Sequence, residues 1–365
     1  MIRRRTAVPV LLASTALLLA ACGGDAEPEA SELDPSADLS QQSLTVSNWE
    51  GYMPEDLPDR FAQDVGPEVT VTNHATNEEI VAKLTASEDS GIDVAFVSGQ
   101  FAQALAEQGL LEPINPDLVP NLKNLYPEAT ELPYDPGNEI SVPYAWGTTG
   151  LCYRTDLVGF EPTSWNDLLN PVDELVGKTT MLQTERWLML PAQKALGFSV
   201  NTTDEDEMAQ VQDQLVSTKP TLLAFDDTTF YSRLVSGEAS LVQAWDGWCN
   251  YGIAEDDRIT FTVPEEGSDL WVDTMVILKS SKNKEAAHAF VNYILDPEIH
   301  TWVVENILYK VPNEAAMGAV DPALVEQFPT LGITPTELLE QEALVDLGDA
   351  APLYTQVATE VAASG

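Results

Sequence analysis

Three short segments of this chain set an aromatic ring beside a carboxylate at predicted turns: Asn48-Trp49-Glu50-Gly51-Tyr52, Trp245-Asp246-Gly247-Trp248 and Trp271-Val272-Asp273. A Trp face attracts an ammonium by about 0.5–2 kcal/mol, according to how far the pair is desolvated. A neighbouring carboxylate adds a charge-assisted hydrogen bond. Alkyl segments between ammonium groups pack on the same rings, so a flexible dication with methylene spacers uses both partners. A single Trp is more often core than ligand contact; three such segments together shift the balance toward a cation site.

Enzyme chemistry finds little support. Gly177-Lys178-Thr179 ends like a phosphate loop, but that motif needs a Gly five residues before Gly177, where Val172 stands. Ser281-Lys282-Asn283-Lys284 fits Ser-x-x-Lys without the accompanying Ser-Asp-Asn or Lys-Thr-Gly elements. His74, His288 and His300 are scattered and lack a metal-ligand spacing. No metal and no cofactor is expected.

The elements that must position these groups alternate. Strands are predicted at 44–47, 69–71 and 93–97, with helices at 55–65, 78–86 and 101–110. After Pro143 a second unit has strands near 150–153, 178–182, 221–225, 240–244 and 270–278, with helices among and after them. Strand–helix alternation indicates an α/β architecture with a largely parallel sheet. Ligands in such sheets bind beyond the carboxyl ends of strands, which nominates the turns at Asn48-Trp49 and Ser98-Gly99.

The ends bound the compartment. Arg3, Arg4 and Arg5 precede an uncharged stretch from Ala7 to Ala21, the pattern of a signal peptide over 1–21. It is too short for a membrane span, which needs about 20 residues. Leu19-Ala20-Ala21-Cys22 resembles a bacterial lipobox, which makes Cys22 the expected acylated N-terminus. Residues 22–42, rich in Gly, Ala, Ser, Pro and acid, are expected to form a disordered acidic tether. The expected location is extracytoplasmic, with the membrane contacted through the lipid anchor alone.

The remaining 320 or so residues suggest two domains by size. With 17 Lys and Arg against 59 Asp and Glu, the net charge of −42 argues against nucleic acid or anionic lipid as partner. Cys152 and Cys249 are available to pair in an oxidising exterior, but sequence does not tell whether their Cα atoms come within reach.

The chain resembles the periplasmic spermidine/putrescine-binding proteins of polyamine ABC transporters over nearly its whole length after Leu44. The motifs that carry the resemblance include Asn48-Trp49-x-x-Tyr52-x-Pro54, Asn77-Glu78, Val142-Pro143-Tyr144-Ala145-Trp146-Gly147, Thr163-Ser164-Trp165, Trp271-Val272-Asp273 and Val311-Pro312-Asn313. The resemblance implies a two-lobed periplasmic-binding-protein-like fold, each lobe a mostly parallel sheet flanked by helices, joined by hinge crossovers. The lobes would comprise 43–145 plus 272–317 and 146–271 plus 318–365. It implies ligand contacts at Trp49, Tyr52, Ser98, Trp245, Trp271, Asp273 and Tyr309, to which the sequence pattern adds Asp246. It also implies a monomer that hands a small cation to a membrane permease. Departures fall at Gln100, where the family has Tyr, at Thr184 and Trp187, where it has acids, and at Leu344, where it has Gln. Glu185, Asp226, Asp227 and Asp246 are candidates to supply the missing charge. Two readings compete: the same fold binding an amine, amino-acid derivative or sugar, and an extracytoplasmic enzyme built on this scaffold.

Overall fold

The computed structural model describes residues 33–364. The proposed signal peptide, Cys22 and the first part of the expected tether lie outside the described residues. The strands are β1 (Ser43–Asn48), β2 (Glu68–Asn73), β3 (Val94–Ser98), β4 (Leu111–Glu112), β5 (Val142–Arg154), β6 (Thr179–Met181), β7 (Ala224–Phe225), β8 (Leu241–Trp245), β9 (Ile259–Thr262), β10 (Asp269–Leu278) and β11 (Glu342–Ala343). Their order is β2-β1-β3-β10-β5-β8-β6-β7, with β4 and β11 paired to β10 and β9 to β5.

Parallel pairing builds the outer part of each lobe: β1 with β2 and β3, and β6 with β7 and β8. Strand β3, Val-Ala-Phe-Val-Ser, is buried throughout, as expected of an apolar strand covered on both faces. Two long strands, β5 and β10, then carry the chain between lobes; they pair antiparallel with each other and with β3, β4, β8 and β9, while β11 joins β10 in parallel. The early residues of β5 pair with β10, and Thr149–Tyr153 pair with β8. The expected lobe boundaries at 145/146 and 271/272 fall on these crossover strands. Val320, Phe328 and Leu331 pack with Val304, Val311 and Ala316 and against Ile253, so the segment after 317 touches elements assigned to both lobes.

Four expectations need correction. The tether does not stay free to residue 42: Leu39 packs on the core, and the Gln42 side chain bonds Glu285 and the Ala286 N–H. One apolar side chain and one amide with fixed partners are enough to dock this stretch. Strand β5 spans thirteen residues rather than the four predicted. Trp245-Asp246-Gly247-Trp248 is no turn, because the helix Asp246–Glu255 starts there. Trp271-Val272-Asp273 lies inside β10. Cys152 on β5 and Cys249 on the helix Asp246–Glu255 form a disulfide, with Cα atoms 5.9 Å apart.

Candidate functional site

Asp273 sits where β10 faces β3. The antiparallel register puts Ser98 directly opposite it, and the Ser98 hydroxyl donates to Oδ1 at 2.7 Å. Ser98 is itself fixed by Asn77, at the start of the helix Asn77–Thr85, which accepts from its N–H at 2.9 Å and donates to its hydroxyl at 3.0 Å. The Tyr52 hydroxyl donates to Oδ2 at 2.8 Å. Tyr52 lies on the loop after β1, held by the Tyr144 hydroxyl, which donates to its carbonyl at 2.7 Å. Both donors to Asp273 are therefore neutral. Asp273 as a residue is half-buried, and burial of its carboxyl raises the pKa to about 6, the two hydroxyls opposing that rise.

The rings form one chain around this acid. Tyr52 meets Trp49 at 5.5 Å, Tyr144 at 5.6 Å and Tyr309 at 5.2 Å between centroids, and Tyr309 meets Trp271 at 5.7 Å. Trp271 precedes Asp273 by two residues and so shares its face of β10. Burial drives the hydroxyl pKa values of Tyr52, Tyr144 and Tyr309 well up, so all three stay protonated donors.

Asp246 enters from the other lobe, at the start of the helix Asp246–Glu255. It accepts the Gly247 N–H at 2.8 Å and the Thr148 N–H at 3.3 Å. Two glycines make room for the lobes to meet here. A Cβ on Gly147 would lie 2.4 Å from both the Asp246 carboxylate and the Trp271 ring, and one on Gly247 would lie 2.5 Å from the Tyr309 ring. Burial raises the Asp246 pKa to about 7. Trp245, the last residue of β8, packs on Trp187 at 5.4 Å.

Of the expected contacts, Tyr52 and Ser98 bond Asp273, the rings of Trp49, Tyr309 and Trp271 continue from Tyr52, and the Asp246 carboxylate lies with the Trp271 ring beside Gly147, whereas Trp245 packs on Trp187 and Phe230. The departures do not supply charge. Thr184 donates to Asp227 at 3.0 Å, and Trp187 donates its indole N–H to Asp269 at 2.8 Å. Leu344 is buried, and the Gln100 side-chain amide is buried with no acceptor among the described residues. Glu185 accepts from Thr355, and Asp226 pairs with Arg233. Sequence reasoning missed Asn77 as the residue that fixes Ser98, Tyr144 as the clamp on the Tyr52 loop, and Lys310 near Asp246. The first two lay within motifs that carried the resemblance; Lys310 left no signal.

Two α/β lobes, crossover strands and an aromatic cleft between them define an extracytoplasmic solute-binding protein. The chain belongs to the family of bacterial extracellular solute-binding proteins, whose model matches residues 57–317. Among its relatives, spermidine/putrescine-binding periplasmic protein 1 of Haemophilus influenzae is 31% identical over 96% of each chain. The spermidine/putrescine-binding periplasmic protein of Escherichia coli is 30% identical over 86% of this chain and 90% of its own. Among solved structures, the TpPotD lipoprotein of Treponema pallidum superposes with a TM-score of 0.79 at 26% identity, covering 88% of this chain and 99% of that one. PotD of Streptococcus pneumoniae, a spermidine/putrescine ABC transporter substrate-binding protein, gives 0.75 at 25% identity, covering 88% and 100%.

Proposed function

We propose that this protein is the substrate-binding component of an ABC importer and that it binds a polyamine between its lobes for delivery to the permease. The observation that carries the reading is Asp273: an acid walled by Tyr52, Trp271 and Tyr309, hydrogen-bonded by neutral groups alone. An ammonium supplies the positive partner that this carboxylate lacks among the described residues, and the indole faces take the methylenes. The relatives named for spermidine and putrescine support the same ligand class. The protein works as a monomer, held at the membrane by acylated Cys22. Changing Cys22 to Ser releases it from the membrane fraction.

The test is a thermal-shift panel of polyamines, ω-amino acids and sugars. Binding confined to the folded state adds about 2.7 kcal/mol of stability at a hundredfold excess over Kd. Polyamines are expected to raise Tm and to be recovered unchanged after denaturation; no shift with any polyamine at millimolar concentration overturns the reading, and conversion of the ligand favours an enzyme. One observation favours a second reading, an amine with an acceptor group at its far end. The indole N–H groups of Trp245 and Trp271 are buried and find no acceptor among the described residues. Shifts produced by ω-amino acids but not by diamines would select it.

A further inference from the structure

We propose that Asn250 is a positioning residue for ligand binding: from the helix Asp246–Glu255 it holds Leu308 in a left-handed turn, and that turn aims the Tyr309 ring into the cleft. This role rests on the polyamine reading above only for the ligand used to test it.

Leu308 is a backbone outlier. Among the described residues, the non-glycine residues with positive φ are Asn138, at 56°, and Leu308, at 55°. Asn is one of the residues that tolerate this region, whereas in Leu the Cβ crowds the following carbonyl with no polar side chain to compensate. A helix that ends in a left-handed residue usually places Gly or Asn there; the helix Pro297–Ile307 places Leu308. Such conformations persist only where the surroundings over-determine them, and they gather at ligand clamps. The residue that follows is the buried Tyr309, whose ring meets those of Tyr52 and Trp271.

The groups that hold this turn can be named. The Asn250 amide donates from Nδ2 to the Leu308 carbonyl at 2.7 Å, and the Thr330 hydroxyl donates to its Oδ1 at 2.8 Å. A backbone carbonyl only accepts, so the amide has one orientation. Tyr251, next along the helix, donates its hydroxyl to the Ile307 carbonyl at 2.9 Å. The Leu308 side chain packs against the cluster that holds Val304, Phe328 and Leu331. Beyond Tyr309, the Lys310 carbonyl accepts the Trp146 N–H at 3.1 Å. Tyr309 thus stands between two backbone carbonyls, each held by a distant part of the chain. Asn250 is fully buried and is a poor helix former, so the stability of its own helix does not account for it. Its bond to an outlier beside a cleft ring does.

The experiment titrates the diamine 1,4-diaminobutane by calorimetry into wild type, Asn250→Ala, Thr330→Val and Asn250→Ala/Leu308→Gly. Asn250→Ala should weaken binding about tenfold, a loss in the range for residues coupled through direct contact. Thr330→Val removes the other bond of the same amide and should bind within threefold of wild type. Glycine adopts the left-handed turn without help, so Leu308→Gly should bring the double variant back to within threefold of wild type, a rescue that general damage to the fold would not allow. Asn250→Ser takes its place if the alanine variant does not fold. Asn250→Ala within threefold of wild type, an equal loss in Thr330→Val, or a double variant as weak as Asn250→Ala overturns the inference. A crystal structure of ligand-free Asn250→Ala decides it without any ligand: Leu308 should leave the left-handed region and Tyr309 should part from Trp271, and an unmoved pair overturns it. Failure of every amine to bind wild type sinks the polyamine reading alone.

Discussion

The Tyr52 hydroxyl and the Asp273 carboxylate meet at 2.8 Å, the first on the loop after β1 and the second on the crossover strand β10. The bond positions the acid without neutralising it. Tyr52 in turn is wedged among Trp49, Tyr144 and Tyr309, so the donor is in place before a ligand arrives. Pre-set groups of this kind reduce the ordering cost of binding.

The first prediction concerns Asp273→Asn. The amide keeps the size of the side chain; its oxygen can still accept from one of the two hydroxyls of Ser98 and Tyr52 and its NH2 can donate to the other, so the fold is expected to survive. Truncating one partner of a buried charge pair costs about 2–5 kcal/mol, which is about thirtyfold to several thousandfold in Kd. Removing an uncompensated acid should leave the ligand-free Tm unchanged or higher. Calorimetry and a melt on the same sample decide: binding within threefold of wild type removes Asp273 from the site, and a lowered Tm marks it as structural.

The second prediction is a pH dependence. The carboxyls of Asp273 and Asp246 are raised to about 6 and about 7, in each case chiefly by burial, against about 3.9 when unfolded. Between about pH 4 and 7 the folded state then holds more of their protons than the unfolded state, so their contribution to stability falls as pH rises. Buried His74, lowered to about 4, and His300, lowered to about 3, act with the opposite sign. The readout is therefore the ligand-induced shift rather than Tm itself. An ammonium prefers the ionised acids, so the Tm gain with 1,4-diaminobutane should grow from pH 5 to pH 8; an equal gain at both would exclude these carboxyls as its partners.

The third prediction concerns the disulfide. Cys152 and Cys249 are separated by 97 residues, and closing a loop of about 100 residues restricts the unfolded chain by about 4.7 kcal/mol in the chain-entropy account. The same bond ties the helix that begins at Asp246 to the crossover strand β5. A Cys152→Ala/Cys249→Ala variant should melt several degrees lower and bind the diamine more weakly. An unchanged Tm would show that the link adds nothing to stability.

Much of this architecture was legible because local and global signals agree. The predicted strands at 44–47 and 93–97 correspond to β1 and β3, whose ends place Trp49 and Ser98. The length of β5 was hidden by continuous burial, which erases the period-2 alternation, and by Pro143, Gly147 and Gly150, which read as breaks. The helix Asp246–Glu255 was hidden by Gly247 and Gly252, poor helix formers that tertiary contacts override here. Gly247 admits the Tyr309 ring, and Gly252 has the Ile259 side chain 3.2 Å from where its Cβ would be. Asp246 could be picked out beside Trp245, but its seat against Trp271 depends on the missing side chain of Gly147, a relation across 99 positions that local pattern does not carry.

The last prediction follows from Gly247. Trp49, Tyr52 and Ser98 belong to one lobe and Trp245 and Asp246 to the other, with crossover strands between them, so binding should draw the lobes together by a hinge motion. Small-angle scattering is expected to give a smaller radius of gyration with saturating diamine than without it. In this structure the helix Asp246–Glu255 approaches Tyr309 so closely that a Cβ on Gly247 would lie 2.5 Å from its ring, a contact between lobes that opening of the hinge would break. Alanine favours a helix interior over glycine by about 1 kcal/mol, so Gly247→Ala should not weaken the helix in the ligand-free protein. It should instead obstruct closure, leaving the ligand-free Tm unchanged or higher while lowering diamine affinity and abolishing the ligand-induced compaction. A Gly247→Ala protein that still compacts and binds like wild type would show that this approach is not part of the closing motion.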